Sequence, residues 1–245
     1  MRTLFDVAFL VLLAIVYPLA EHYWLFPRYL RQLEGSVPGA RAAFYRQTLA
    51  ILWGLGALAI LLWITQQHPW SAVPLIRLVP WRLALGAGLI AALVYLMARQ
   101  IGAVRRSAKA RASVRQQVGS IVSILPVTAS ELRLFFALSV TAGICEEWLY
   151  RSVLITLFAA WVGLPCAVLL ANAAFGFAHS YQGRKGIVST GVFGVVMSGI
   201  VIATGSLVVA MVIHTVTDVG NGLVTYLTTT VTDDASGEGG VAAVG

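Results

Sequence analysis

The chain has 245 residues, of which 59% are hydrophobic and only 11% charged, and its mean hydropathy is +0.84. An ordinary soluble domain carries about a quarter charged residues, so this composition excludes a soluble core and indicates a membrane protein. The formal charge of +7 does not point to nucleic acid, because the basic residues sit in short connectors without interleaved aromatics.

A helix needs ~20 mostly apolar residues to cross the hydrocarbon core. The first run meeting this rule is Leu4 to Phe26. Asp6 interrupts the amino-terminal region, and Pro-Leu-Ala-Glu is a poor cleavage site, so the run reads as a retained span and not a signal peptide. The second and third spans follow at Phe44 to Ile64 and Leu83 to Met97. A basic connector runs from Arg99 to Arg115, and apolar sequence then extends from Leu132 to Tyr226 with few breaks.

The stretch from Leu132 to Leu164 is too long for one upright span, and Glu146, Glu147 and Arg151 lie in its middle. Two elements meeting near these charges are expected. Pro165 opens the next helix, which reaches Ser180 and ends at the Gln-Gly-Arg-Lys-Gly turn of residues 182 to 186. Two further spans are expected at about Ile187 to Ala203 and Ser206 to Leu227. The predicted architecture is all-α: one polytopic bundle of seven or eight transmembrane helices over residues 1–231, enclosing a polar cavity. Residues 232–245, with Asp233, Asp234 and Glu238 among glycines and small residues, read as a disordered tail.

Arg28, Arg31, Arg41 and Arg46 crowd the first connection, and Arg99, Arg105, Arg106, Lys109, Arg111 and Arg115 the third. The positive-inside rule makes these two cytoplasmic and the amino terminus external, with Trp63, Trp70 and Trp81 near the outer interface. Cys145 and Cys166 both lie in apolar stretches and suggest neither a disulfide framework nor a thiolate metal cluster.

Ionisable residues in the apolar second half carry the functional argument. Each such charge at mid-bilayer costs ~2.5 to 3.5 kcal/mol on insertion scales if unpaired. Glu147 and Arg151 are four residues apart and can pair on one helix face, while Glu146 points elsewhere. A glutamate tied to a cation is a poor proton acceptor, so Glu146 is the better general base and Glu147 with Arg151 the brace. Phe175 lies one turn before His179 and can fix the imidazole, and His214, Asp218 and Asn221 form one polar stripe. Glu146, His179 and His214 on three segments supply a base, a second proton carrier and a donor, enough to activate water and stabilise an oxyanion.

These motifs resemble the type II CAAX prenyl endopeptidases, the Abi family of CAAX proteases and bacteriocin-processing enzymes. The resemblance lies in Glu146-Glu147-x-x-x-Arg151, Phe175-x-x-x-His179 and His214-x-x-x-Asp218, and covers roughly residues 132–227. It implies about eight helices around a water-filled cavity and a metal-independent glutamate mechanism. By that resemblance Glu146 and His179 activate the water, His214 and Asp218 form the oxyanion site, and Glu147 and Arg151 support them. The family's last motif position is typically an asparagine whose amide donates. An ionised Asp218 does not donate, so it is protonated, orients His214, or leaves the donor role to Asn221.

Other readings compete. Two histidines and a carboxylate are an ordinary zinc set, although the His-Glu-x-x-His helix is absent. Buried carboxylates and histidines also build proton-coupled transporters or channels, and an inactive helix-binding scaffold would keep them for packing. As a peptidase, the protein would act within the lipid bilayer on a membrane-embedded or membrane-associated protein or peptide, without nucleic acid. Fifteen arginines against two lysines suggest a GC-rich prokaryotic genome, where prenylated CAAX proteins are not expected. Peptide precursors, sorting-signal tails and membrane-anchored regulators are then the candidate substrates.

Overall fold

A computed structural model describes residues 4–75, 79–118 and 123–230. Among these the chain is helical, without strands, and six stretches are long and apolar enough to cross a membrane. The acidic tail expected to be disordered lies outside the described residues, as does Arg77.

Helix α1 spans Leu4–Glu34. Its backbone widens into π-helical turns at Leu12–Val16 and Glu21–Leu25, each ending two residues before a proline, Pro18 and Pro27. A proline ring clashes with the carbonyl four residues back and supplies no N–H. Local widening absorbs that clash without exposing broken backbone to lipid.

Helix α2 spans Ala40–Thr65 and α3 spans Pro80–Arg106, with Pro80 in its first turn. The basic connector is helical: Arg99, Arg105 and Arg106 extend α3, and Lys109, Arg111 and Arg115 lie on the short helix α4, Ala108–Val118. Polar residues there continue the helix beyond the apolar run, which is why hydropathy placed its end too early.

Helix α5, Ala129–Glu146, opens with a capping box in which Thr128 and Glu131 satisfy each other's backbone N–H groups. It then passes without a break into a π-helical segment, Glu147–Leu154, and on into α6, Ile155–Ala178. The expectation of two elements meeting at Glu146, Glu147 and Arg151 is therefore corrected. These charges find partners inside the bundle, so the helix widens there and continues. The break falls instead at Gly163, with φ 76 and ψ 164. Glycine takes that backbone without strain, and Pro165 restarts the helix two residues on. A rod of 50 residues from Ala129 to Ala178 would run about 75 Å if straight, more than twice the hydrocarbon thickness, and the bend at Gly163 resolves that length.

A 3-10 turn at Ser180–Gln182 links α6 to α7, Gly183–Thr204, and α8 spans Leu207–Thr230. The turn expected over 182 to 186 is shorter than predicted, because Gly183, at φ 79, makes it alone. Arg184 to Gly186 are already helical.

Helix α5 packs between α2 and α8, α8 also lies on α3, and α6 pairs with α7. At Gly143 the α5 backbone comes so close to α8 that an added Cβ would lie 2.2 Å from Thr215 Oγ1 and 2.8 Å from the Met211 carbonyl. Small residues permit this approach where lipid provides no hydrophobic drive between helices. Trp70 and Trp81 are exposed, as an interfacial belt requires, but Trp63 is fully buried against Trp148, with ring centroids 5.8 Å apart. Its indole fills the core and does not anchor at the surface. The arginine-rich connections share one end of the bundle: Arg41 pairs with Glu131 at 3.3 Å, Tyr29 donates to the Ser123 carbonyl, and Arg115 reaches the Thr228 carbonyl.

Candidate active site

The π-helical segment decides where the paired glutamates go. Glu147 turns into the protein and is fully buried, while Glu146, immediately before the segment, faces a cavity of about 350 Å³. Two adjacent carboxylates thereby enter different surroundings.

Glu147 is held from two sides. Its Oε2 lies 3.3 Å from Arg151 Nε, and its Oε1 accepts a hydrogen bond from His214 Nδ1 at 2.8 Å. The guanidinium of Arg151 sits 4.1 Å above the ring of Phe175, and both Nη atoms lack hydrogen-bond partners among the described residues. Charge pairing and the aromatic face together offset the desolvation of this cation. Gly194 leaves room for it, since a Cβ there would stand 2.9 Å from Arg151 Nη2.

His214, on α8, is the hinge of the cluster. With Nδ1 bonded to Glu147, its Nε2 lies 3.8 Å from Glu146 Oε2 and 3.5 Å from Asp218 Oδ2. The ring touches Phe193 and Phe175 edge-on, at centroid separations of 5.3 and 6.3 Å. Those contacts fix its plane. The imidazolium form presents an N–H at Nε2 toward the cavity, between the two carboxylates.

His179 closes α6. Its Nδ1 donates to the Phe175 carbonyl at 2.9 Å, because a carbonyl only accepts, and the Phe175 ring packs 4.8 Å from the imidazole. In the neutral ring Nε2 is then the lone-pair nitrogen. Phe175 thus orients His179 through both its backbone and its ring, and supports Arg151 as well.

Glu146, His179, His214 and Asp218 all line the one cavity, as does Asn221. Glu147, Arg151 and Phe175 stand in or behind its wall. Among the described residues no group of three His, Cys, Asp or Glu side chains is arranged to hold a metal ion. Glu146, His179 and His214, considered above as a zinc set, share the cavity without forming such a cluster.

Sequence reasoning did not find two features. The first is the bond between Glu147 and His214, which gives the brace a second partner; spacing along one helix does not reveal a contact between helices. The second is Glu21 of α1, buried at 6% exposure and lining the same cavity with Tyr17. A carboxylate within an apolar run was the same signal that singled out Glu146, and here it passed unread because no motif surrounds it.

Residues 128–220 match the model of a family described as type II CAAX prenyl endopeptidase Rce1-like. All three motifs fall within that range, and Asn221 lies one residue beyond it. No curated protein and no solved structure matches the chain. With ionisable groups from several apolar helices gathered at one cavity, the chain is a multi-pass membrane protein that carries, over residues 128–220, an Rce1-like type II CAAX prenyl endopeptidase domain, which indicates a peptidase.

Proposed function

We propose that the protein is a glutamate-dependent intramembrane endopeptidase whose water is activated by Glu146 together with His179. The observation that carries this reading is the division of labour between adjacent glutamates. Glu147 is held closely by both Arg151 and His214, while Glu146 has only the longer 3.8 Å approach to His214 Nε2 and opens on the cavity that His179 also lines.

The chemistry follows from those commitments. Water in the cavity gives a proton to Glu146 as its oxygen attacks the scissile carbonyl, and His179 Nε2 is the second site able to carry a proton. The carbonyl oxygen becomes an oxyanion, and the His214 imidazolium offers it Nε2–H, with Nδ1 steadied by Glu147. The tetrahedral intermediate collapses by breaking the C–N bond, and the amine leaves with the proton taken from water. Asp218 orients His214 or, when protonated, donates beside it. The substrate is a membrane-embedded or membrane-associated protein or peptide, and the family's prenylated carboxy-terminal peptide is one class of it.

The test uses purified full-length protein in liposomes with membrane-anchored peptides. Wild type is expected to cleave in the presence of a strong chelator, and Glu146→Gln and His179→Ala to lose cleavage while keeping their thermal stability. Cleavage abolished by the chelator and restored by zinc would replace this mechanism with the metal-dependent one. Ion flux in the same liposomes that Glu146→Gln abolishes, without cleavage, would replace the peptidase with a transporter.

A further inference from the structure

Helix α1 lies outside the family-matched segment, yet it brings a further acid, Glu21, to the cavity. Glu21 is 6% exposed and makes no hydrogen bond or ion pair with any described residue. The π turn Glu21–Leu25 directs it inward, and the neighbouring His22 pairs with Ser180 Oγ at 3.0 Å. Phe26 packs on Tyr181 with ring centroids 4.9 Å apart. Two contacts thus tie this turn of α1 to the residues that follow His179, and Glu21 is fixed relative to the centre proposed above. Tyr17, one turn earlier, and Tyr181 also line the cavity, and each lies within electrostatic reach of both Glu21 and Glu146.

A buried carboxylate without a partner destabilises the empty protein. A ligand of opposite charge removes that cost. Among the described residues the cavity wall carries Glu21, Glu146 and Asp218 and no lysine or arginine; its one imidazolium, His214, lies between Glu146 and Asp218 and leaves Glu21 without a cation, although the chain as a whole has a formal charge of +7. A carboxylate flanked by tyrosine rings suits an ammonium or guanidinium group, which donates a charge-assisted hydrogen bond to the carboxylate and lies against the faces of the rings. An acidic side chain there would face the uncompensated Glu21 carboxylate.

We propose that Glu21, with Tyr17 and Tyr181, forms a specificity subsite that takes a lysine or arginine side chain of the substrate close to the scissile bond. The proposal rests on the peptidase reading for its role in cleavage, but binding at the subsite can be read separately.

The experiment uses full-length Glu146→Gln protein in lipid nanodiscs and fluorescent membrane-anchored peptides. One residue at a time, within three positions on either side of the cleavage point or of the peptide's centre, is lysine, glutamine or glutamate. At one position the lysine peptide is expected to bind about tenfold or more tighter than the glutamine peptide, with the glutamate peptide weakest. Adding Glu21→Gln should bring the lysine and glutamine peptides to equal affinity, and adding Glu21→Lys should favour the glutamate peptide. In protein with Glu146 intact, the same preference should appear chiefly in KM. Equal binding of lysine and glutamine peptides at every position overturns the proposal without any Glu21 variant, and so does a preference that survives Glu21→Gln. A Glu21-dependent preference with no cleavage by wild type would leave the subsite standing and sink the peptidase reading instead.

Discussion

Two widened helical turns each begin at a buried glutamate, Glu147 and Glu21, and the surroundings of the two are opposite. At Glu147–Leu154 the turn sends Glu147 inward to Arg151 and His214, which hold it at 3.3 and 2.8 Å, and leaves Glu146 on the cavity face. At Glu21–Leu25 the turn brings in Glu21 with no hydrogen-bond or ion-pair partner among the described residues. The comparison separates two uses of a buried acid. One is satisfied within the protein and builds the scaffold, and the other stays available for what enters from outside. Glu146 and Glu21 are of the second kind, and we assign Glu146 to water and Glu21 to substrate.

The sharpest way to break this division is to neutralise each acid in turn. Glu146→Gln should lower cleavage by about 10² to 10⁴-fold and leave the thermal midpoint near wild type, as activity and thermal unfolding assays on the same preparation would show. Glu147→Gln should lose activity through the fold, since it strands the Arg151 cation. Breaking a buried pair costs about 3–5 kcal/mol, so the midpoint should fall markedly. If the two variants behave alike in stability, the scaffold and reaction roles are not divided as proposed.

A smaller effect is expected from the helix contact that sets the distance between Glu146 and His214. Gly143→Ala places a methyl within 2.2 Å of Thr215 Oγ1 and 2.8 Å of the Met211 carbonyl. Overpacking of this kind costs about 1–3 kcal/mol, and it should reduce kcat more than it weakens peptide binding. Steady-state kinetics with the midpoint measured in parallel would show it. Smallest of all is Asp218→Asn. Its side chain is 35% exposed and 3.5 Å from His214 Nε2, and an amide can donate where the acid must first be protonated. Activity should stay within about tenfold of wild type, a factor worth ~1.4 kcal/mol. Complete inactivation would show that the carboxylate itself is required.

Much of the site was legible because charge inside an apolar run is expensive and therefore informative. Glu146, Glu147, Arg151, His179, His214 and Asp218 stand out on that ground, and all six fall within residues 128–220, the segment that matches the family model. What spacing along single helices cannot give is contact between them. The His214 to Glu147 bond joins residues 67 apart in sequence, and Arg151 over Phe175 joins α6 to the π segment. The helix boundaries failed for a related reason. Hydropathy sees the charges at 146 to 151 as an interruption, but charges that pair internally need not interrupt a helix, whereas Gly163 and Pro165 do so by backbone geometry. Trp63 was misplaced because amphipathic rings suit both an interface and a core.

The central claim is that Glu146, and not its neighbour or a metal, activates the water. It is tested most directly by the single-turnover cleavage rate of one membrane-anchored peptide in liposomes, with a strong chelator present, for wild type and for Glu146→Gln of matched thermal midpoint. The account predicts cleavage by wild type at its full rate and a fall of at least about 10²-fold in the variant. A Glu146→Gln protein that cleaves as fast as wild type would contradict it.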